Sequence, residues 1–110
     1  MASGTSGGGT VDFGYLEGFC AGDQQVVTDV LVTFREQAAI WAEALADPGP
    51  DWKDLAHTIK GSARGIGARP LGEAAEQAER LGPEVLSLVR AELAEAVAEI
   101  EGYLARIGGG

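Results

Sequence analysis

The chain has 110 residues, 45% of them apolar, enough for one compact domain with its own core and too few for two. Against 17 acidic residues stand 8 basic ones, and the resulting net charge of −9 argues against a domain that grips nucleic acid or anionic lipid. No apolar run approaches the roughly 20 residues of a membrane span, the first residues lack the pattern of a secretion signal, and the single Cys20 permits neither an intrachain disulfide nor a thiolate metal site.

Residues 1–10 and 108–110 are small and mostly glycine, with no side chain to anchor them, and are expected to form flexible tails around a domain of residues 11–107. From Val11 to Phe19, the spacing of Phe13, Leu16 and Phe19 predicts a short helix that lids one end of a core and is ended by Gly22. Asp23 then caps a long helix whose apolar positions Val27, Val30, Leu31, Phe34, Ala38, Trp41 and Leu45 advance by three or four, up to the turn Asp47-Pro48-Gly49-Pro50. The next helix runs from Asp51 to about Ile66, with Trp52, Leu55, Ala56, Ile59, Ala63 and Ile66 on one stripe, and Gly65 and Gly67 break it. Pro70 suits the first turn of a further helix. In it Leu71, Ala74, Ala75, Ala78 and Leu81 face inward, Glu73, Glu76 and Glu79 face water, and Gly82-Pro83 closes the segment. The last helix, from Glu84 to Ile107, repeats Leu86, Val89, Leu93, Val97, Ile100, Leu104 and Ile107. No segment alternates convincingly with a period of two, so the fold class is all-α: an antiparallel up-down four-helix bundle with a short extra N-terminal helix. A cytoplasmic monomer is the expectation, with Cys20 a small apolar filler.

The only histidine, His57, lies in the second long helix. On a helical wheel of about 100° per residue, Lys53, Lys60, Gly61 and Arg64 fall within roughly 60° of it and the apolar stripe falls opposite, so the imidazole leaves the bundle. Gly61, one turn later, costs about 1 kcal/mol relative to alanine in a helix interior, and bare backbone there lets another protein's loop reach the ring. Lys60 and Arg64 stand one and two turns away, placed to steady the oxygens of a phosphoryl group. Charge is unevenly spread: between residues 51 and 69, Lys53, Lys60, Arg64 and Arg69 outnumber Asp51 and Asp54. This island of +2 leaves −11 for the rest.

The run His57-Thr58-Ile59-Lys60-Gly61-Ser62-Ala63, followed by Gly67-Ala68 and Leu71, closely resembles the signature of histidine-containing phosphotransfer (HPt) domains. Tyr15-Leu16-Glu17, Gly22-Asp23, Leu31 and Phe34 are similar to the family's entry segment and second helix, so the resemblance covers roughly residues 11–107. It implies a four-helix bundle with an added short helix, in agreement with the helix count reached from periodicity. It further implies that His57 is the phosphorylated nucleophile, Lys60 the phosphate-side cation and Gly61 the residue that opens access. Gly67 and Ala68 match the close-packed turn after the motif. Arg64 and Lys53 match only a general tendency and stand as partner contacts, while Ser62, at the edge of the core, has a packing role.

Function follows as an expectation. Imidazole titrates near pH 6.5, which leaves a ring nitrogen free at neutral pH without a dedicated base. The chain would take a phosphoryl group from an aspartate of one receiver domain and pass it to another, in a bacterial two-component phosphorelay among response regulators and hybrid histidine kinases. It would need no cofactor or metal of its own, Mg²⁺ belonging to the receiver. There is no GxxxxGK[ST] loop, so the chain is not a kinase by itself. The glutamates of the last two helices match solvated faces rather than paired acid and base. Two other readings remain open: the phosphorylatable domain of a larger chemotaxis-type or hybrid kinase, and a helical adaptor that binds receivers without carrying phosphate. Docking is expected to combine the basic island with apolar residues of the first long helix, among them Ala38, Ile40 and Ala42.

Overall fold

A computed structural model of the protein describes residues 10–108. Its helices are α1 (Phe13–Phe19), α2 (Gln24–Ala46), α3 (Trp52–Ile66), α4 (Arg69–Leu81) and α5 (Leu86–Gly108), with 3₁₀ turns at Gly49–Asp51 and Pro83–Val85. The expected flexible tails fall on residues 1–9 and 109–110, outside the described residues, except at two positions. Gly108 is the last residue of α5, and Thr10 is buried.

Most local signals for these elements act as expected, but Gly65 stays inside α3 and Gly67 alone ends it. The Asp23 carboxylate accepts the Gln25 and Val26 N–H groups at the start of α2. Pro70 occupies the first turn of α4, where its missing N–H has no partner to lose. Gly67 ends α3 in the left-handed conformation, φ +81°, as its N–H and that of Ala68 return to the carbonyls of Arg64 and Ala63. That position admits no side chain for a second reason. A Cβ there would sit 3.0 Å from the Asp12 carbonyl and 3.1 Å from Tyr15 Cδ2, because α1 packs directly on this turn.

Helices α2 to α5 form a four-membered cycle, α2 on α3, α3 on α4, α4 on α5 and α5 on α2, with α1 over one end. One continuous core runs through it, built on Leu16, Leu31, Ile59, Leu71, Leu93 and Ile100, each at most 2% exposed. Among the described residues no strand occurs, and no helix is long and apolar enough to cross a membrane.

Val30, Trp52 and Leu55 lie at the core's edge, and burial departs most from the periodicity in three places. On α5 the buried positions are Leu86, Val89, Leu93, Ala96, Ile100 and Tyr103, whereas Val97 and Leu104 lie at the core's edge and Ile107 is exposed. The cause is α1. Phe13 stacks on Tyr103 with ring centroids 4.3 Å apart, and the Tyr103 hydroxyl donates to the Glu17 carboxylate, so α5 turns Tyr103 rather than Leu104 inward at its C-terminal end. Burial, reinforced by that carboxylate, pushes the Tyr103 hydroxyl pKa up and keeps it a donor. The same end is tied by the Glu99 carboxylate, which accepts the Thr10 and Val11 N–H groups at 2.8 and 3.0 Å. The other two departures are terminal: Leu81 and Phe19, at the last positions of α4 and α1, are 60% and 77% exposed.

Candidate functional site

The azimuth of His57 is set by its neighbours in α3. Ala56 and Ile59 are fully buried, which turns the two residues between them, His57 and Thr58, outward, and the His57 side chain is 70% exposed. On α4, Ala75 and Ala78 are likewise fully buried, and the residues after them, Glu76 and Glu79, lie along the α3–α4 seam. The hairpin turns at Gly67-Ala68, so residues equally far before and after it stand level. That register brings His57 beside Glu79.

His57 Nδ1 lies 3.0 Å from Glu79 Oε2, and the Lys60 ammonium lies 2.6 Å from Oε1 of the same carboxylate. The Lys60 contact holds the Glu79 carboxyl below its ordinary range. Burial opposes this, and the His57 hydrogen bond adds to it. At neutral pH Glu79 is therefore an anion, and an anion only accepts. The proton of the neutral imidazole consequently sits on Nδ1, where it donates to Glu79, and the lone pair sits on Nε2. Gly61 leaves open space beside this ring: a Cβ built there would meet nothing within 4 Å. No packing demand explains the glycine.

Glu76 faces water as its place on α4 predicts, its side chain 44% exposed, but Glu79 does not. The Glu79 side chain is only 16% exposed and joins His57 to Lys60. The signal that could have found it is the register of the hairpin, since His57 and Glu79 stand about equally far from the Gly67-Ala68 turn. Among the described residues no group of three or more histidine, cysteine, aspartate or glutamate side chains could hold a metal ion.

The model of the Hpt domain family matches residues 25–109. The chain belongs to this family. A solved structure, that of the histidine phosphotransferase ShpA from Caulobacter crescentus, is similar at 55% identity, with a TM-score of 0.81 over 89% of this chain and 93% of that one. No match was found among curated proteins. The five-helix, all-α architecture is thus that of an Hpt domain, and Hpt domains pass phosphoryl groups to receiver domains.

The other candidate residues of this Hpt domain fall into two groups. Arg64 is drawn to α4: its guanidinium lies 2.6 Å from Glu76 Oε1, and its Cγ lies 3.4 Å from where a Cβ on Gly72 would be. Gly72 therefore seats the arginine stem, while the head stays 57% exposed. Lys53 is exposed on the first turn of α3 and has no ion-pair partner among the described residues. Of the apolar residues considered on α2, Ala38 is buried, Ala42 is partly buried and Ile40 is 60% exposed.

These contacts also correct the basic island. Lys60 and Arg64 are each matched by a carboxylate of α4. Over residues 51–81, Lys53, Lys60, Arg64, Arg69 and Arg80 balance Asp51, Asp54, Glu73, Glu76 and Glu79. The hairpin is neutral, and the whole net charge of −9 lies on the rest of the chain.

Proposed function

We propose that this Hpt domain carries the phosphoryl group on Nε2 of His57, taking it from an aspartyl phosphate of one receiver domain and giving it to an aspartate of another. The observation that carries the reading is the hydrogen bond from Nδ1 to the ionised Glu79, which leaves Nε2 as the outward lone pair. In the forward step that lone pair attacks phosphorus in line with the aspartyl oxygen. The N–P bond forms as the P–O bond breaks, and the electron pair departs on the receiver's carboxylate. Mg²⁺ belongs to that partner's pocket, and the Hpt domain needs no cofactor of its own. The ring keeps its Nδ1 proton, so positive charge develops on it beside Glu79, which offsets that charge without taking the proton. Onward transfer is the same step reversed.

Lys60 has three N–H donors; with one on Glu79, two are left for phosphoryl oxygens. Gly61 gives the receiver's loop room to bring its aspartate to the ring. Arg64 and Lys53 are contacts to the receiver rather than to phosphate. The domain works as a cytoplasmic monomer in this reading, its net charge of −9 holding copies apart.

The test is to mix the protein with receiver domains charged by acetyl phosphate and to follow acid-labile, base-stable label. Wild type takes the label and His57→Gln takes none, with an unchanged far-UV spectrum because the side chain is mostly in solvent. Equal labelling of the variant would remove His57 from the pathway.

A further inference from the structure

The seam that holds His57 continues past it. Two turns along α3 from His57 and one along α4 from Glu79 lies the Arg64–Glu76 pair, and beyond that opens a groove of about 950 Å³ whose wall includes Arg64, Glu76, Gly67, Arg69 and Tyr15. Tyr15 is 50% exposed and stacks on Phe19, 77% exposed, with ring centroids 6.4 Å apart. Two large aromatic rings lying free on a seven-residue helix are an unusual use of a surface, since such rings are depleted on water-facing surfaces and enriched at contacts.

We infer that the receiver's footprint runs from His57 down the α3–α4 seam, past Arg64, to the Tyr15–Phe19 pair of α1, and that this aromatic pair sets which receivers dock. The inference rests on the phosphotransfer reading above and deepens it. Its geometric basis is continuity. His57 and Arg64 are about 10 Å apart along the helix axis at 1.5 Å per residue. A partner burying about 800 Å² of this surface covers a disc of roughly 16 Å radius, so one centred on His57 extends across Arg64 onto the end of the bundle where α1 sits. Charge points the same way. A receiver's phosphorylation pocket is acidic, the seam is neutral, and the −9 elsewhere turns such a partner away from the other faces. The α1 helix is also held firmly enough to serve as a docking edge, through Tyr103–Glu17, Phe13–Tyr103 and the Asp12 N–H donated to the Gly67 carbonyl at 2.9 Å.

The experiment separates charging from docking. The full-length protein is labelled at histidine with phosphoramidate, whose P–N bond breaks to release ammonia as the Nε2–P bond forms, so no protein partner takes part. It is then discharged onto whichever of a panel of purified receiver domains empties wild type fastest. Tyr15→Ala and Phe19→Ala are expected to charge like wild type and to raise the KM for that receiver about tenfold, the scale of an aromatic contact at an interface, with kcat changed less than twofold. Leu88→Ala, 41% exposed on α5, leaves KM as it is. An unaltered KM in both α1 variants overturns the inference, and so does a rise equally large in Leu88→Ala. A wild-type dimer in sedimentation that the two variants dissociate, with KM unmoved, assigns the pair to self-association and overturns it as well. Failure of wild type to take label from phosphoramidate is a different result: it strikes the His57 reading itself.

Discussion

The α3–α4 hairpin and the α2–α5 pair close the same core with different side chains. Beside Ile59, Ile66 and Leu71, α3 and α4 bury the alanines Ala56, Ala63, Ala74, Ala75 and Ala78, whereas α2 and α5 bury only Ala38 and Ala96 among large side chains such as Val27, Leu31, Phe34, Leu93, Ile100 and Tyr103. Small residues let the two shorter helices approach more closely along their length than the two long ones do. Side chains flanking that narrow seam then span it. His57, Lys60 and Arg64 all reach carboxylates of α4, while among the described residues no ion pair joins α2 to α5. The wide pair supplies stability and an acidic exterior; the narrow pair supplies geometry. What the contrast teaches is that alanines can be functional without touching anything reactive, because they fix the distance across which Glu79 meets His57.

This division can be broken from either side. Leu31→Ala removes a fully buried side chain of α2 and should cost about 2–5 kcal/mol in chemical denaturation. Phosphoramidate charging per folded molecule should nonetheless stay at the wild-type rate, and a matching loss of rate would show that the two regions are not separable. Ala75→Leu forces extra volume into the hairpin. It should cost less stability, about 1–3 kcal/mol, yet slow charging of the folded protein, because α4 is pushed off and carries Glu79 with it.

Glu79→Gln is the finest of these cuts. It keeps the shape and removes the charge, so the loss is that of one charge-assisted hydrogen bond, about 1.5–3 kcal/mol or roughly a tenfold to hundredfold slower charging. Its pH signature has a definite sign. Glu79 is held below the ordinary carboxylate range in the folded state, so the unfolded chain binds the proton first as pH falls. The stabilisation due to its charge is fully present above the unfolded value of about 4.3 and is lost as pH drops through the lower folded one. Urea titrations of wild type and Glu79→Gln should therefore differ at neutral pH and converge in acid. A difference that persisted undiminished in acid would mean that Glu79 is not the group responsible.

Much of the fold was legible in the residues. Asp23, Pro70, Gly67 and Gly82 act through the chain next to them, and these local signals marked the helix ends. The outward direction of His57 followed from the buried Ala56 and Ile59 beside it, and Gly61 was found where a helix has no reason to hold glycine. Tyr103 and Thr10 were missed because their burial depends on α1 reaching the far end of α5. Their partners, Phe13, Glu17 and Glu99, lie more than 85 residues away along the chain.

The amino-acid order alone determined five helices, their caps, the direction of the imidazole and the family signature, since each arises from contacts within a turn or two of the backbone. Only the tertiary structure decided which nitrogen of His57 is free. A helical wheel gives the azimuth of Glu79 on α4 and says nothing of what stands opposite. The small buried residues of the hairpin bring α3 into that space, and with it the partner that turns a solvated carboxylate into the anchor of the ring.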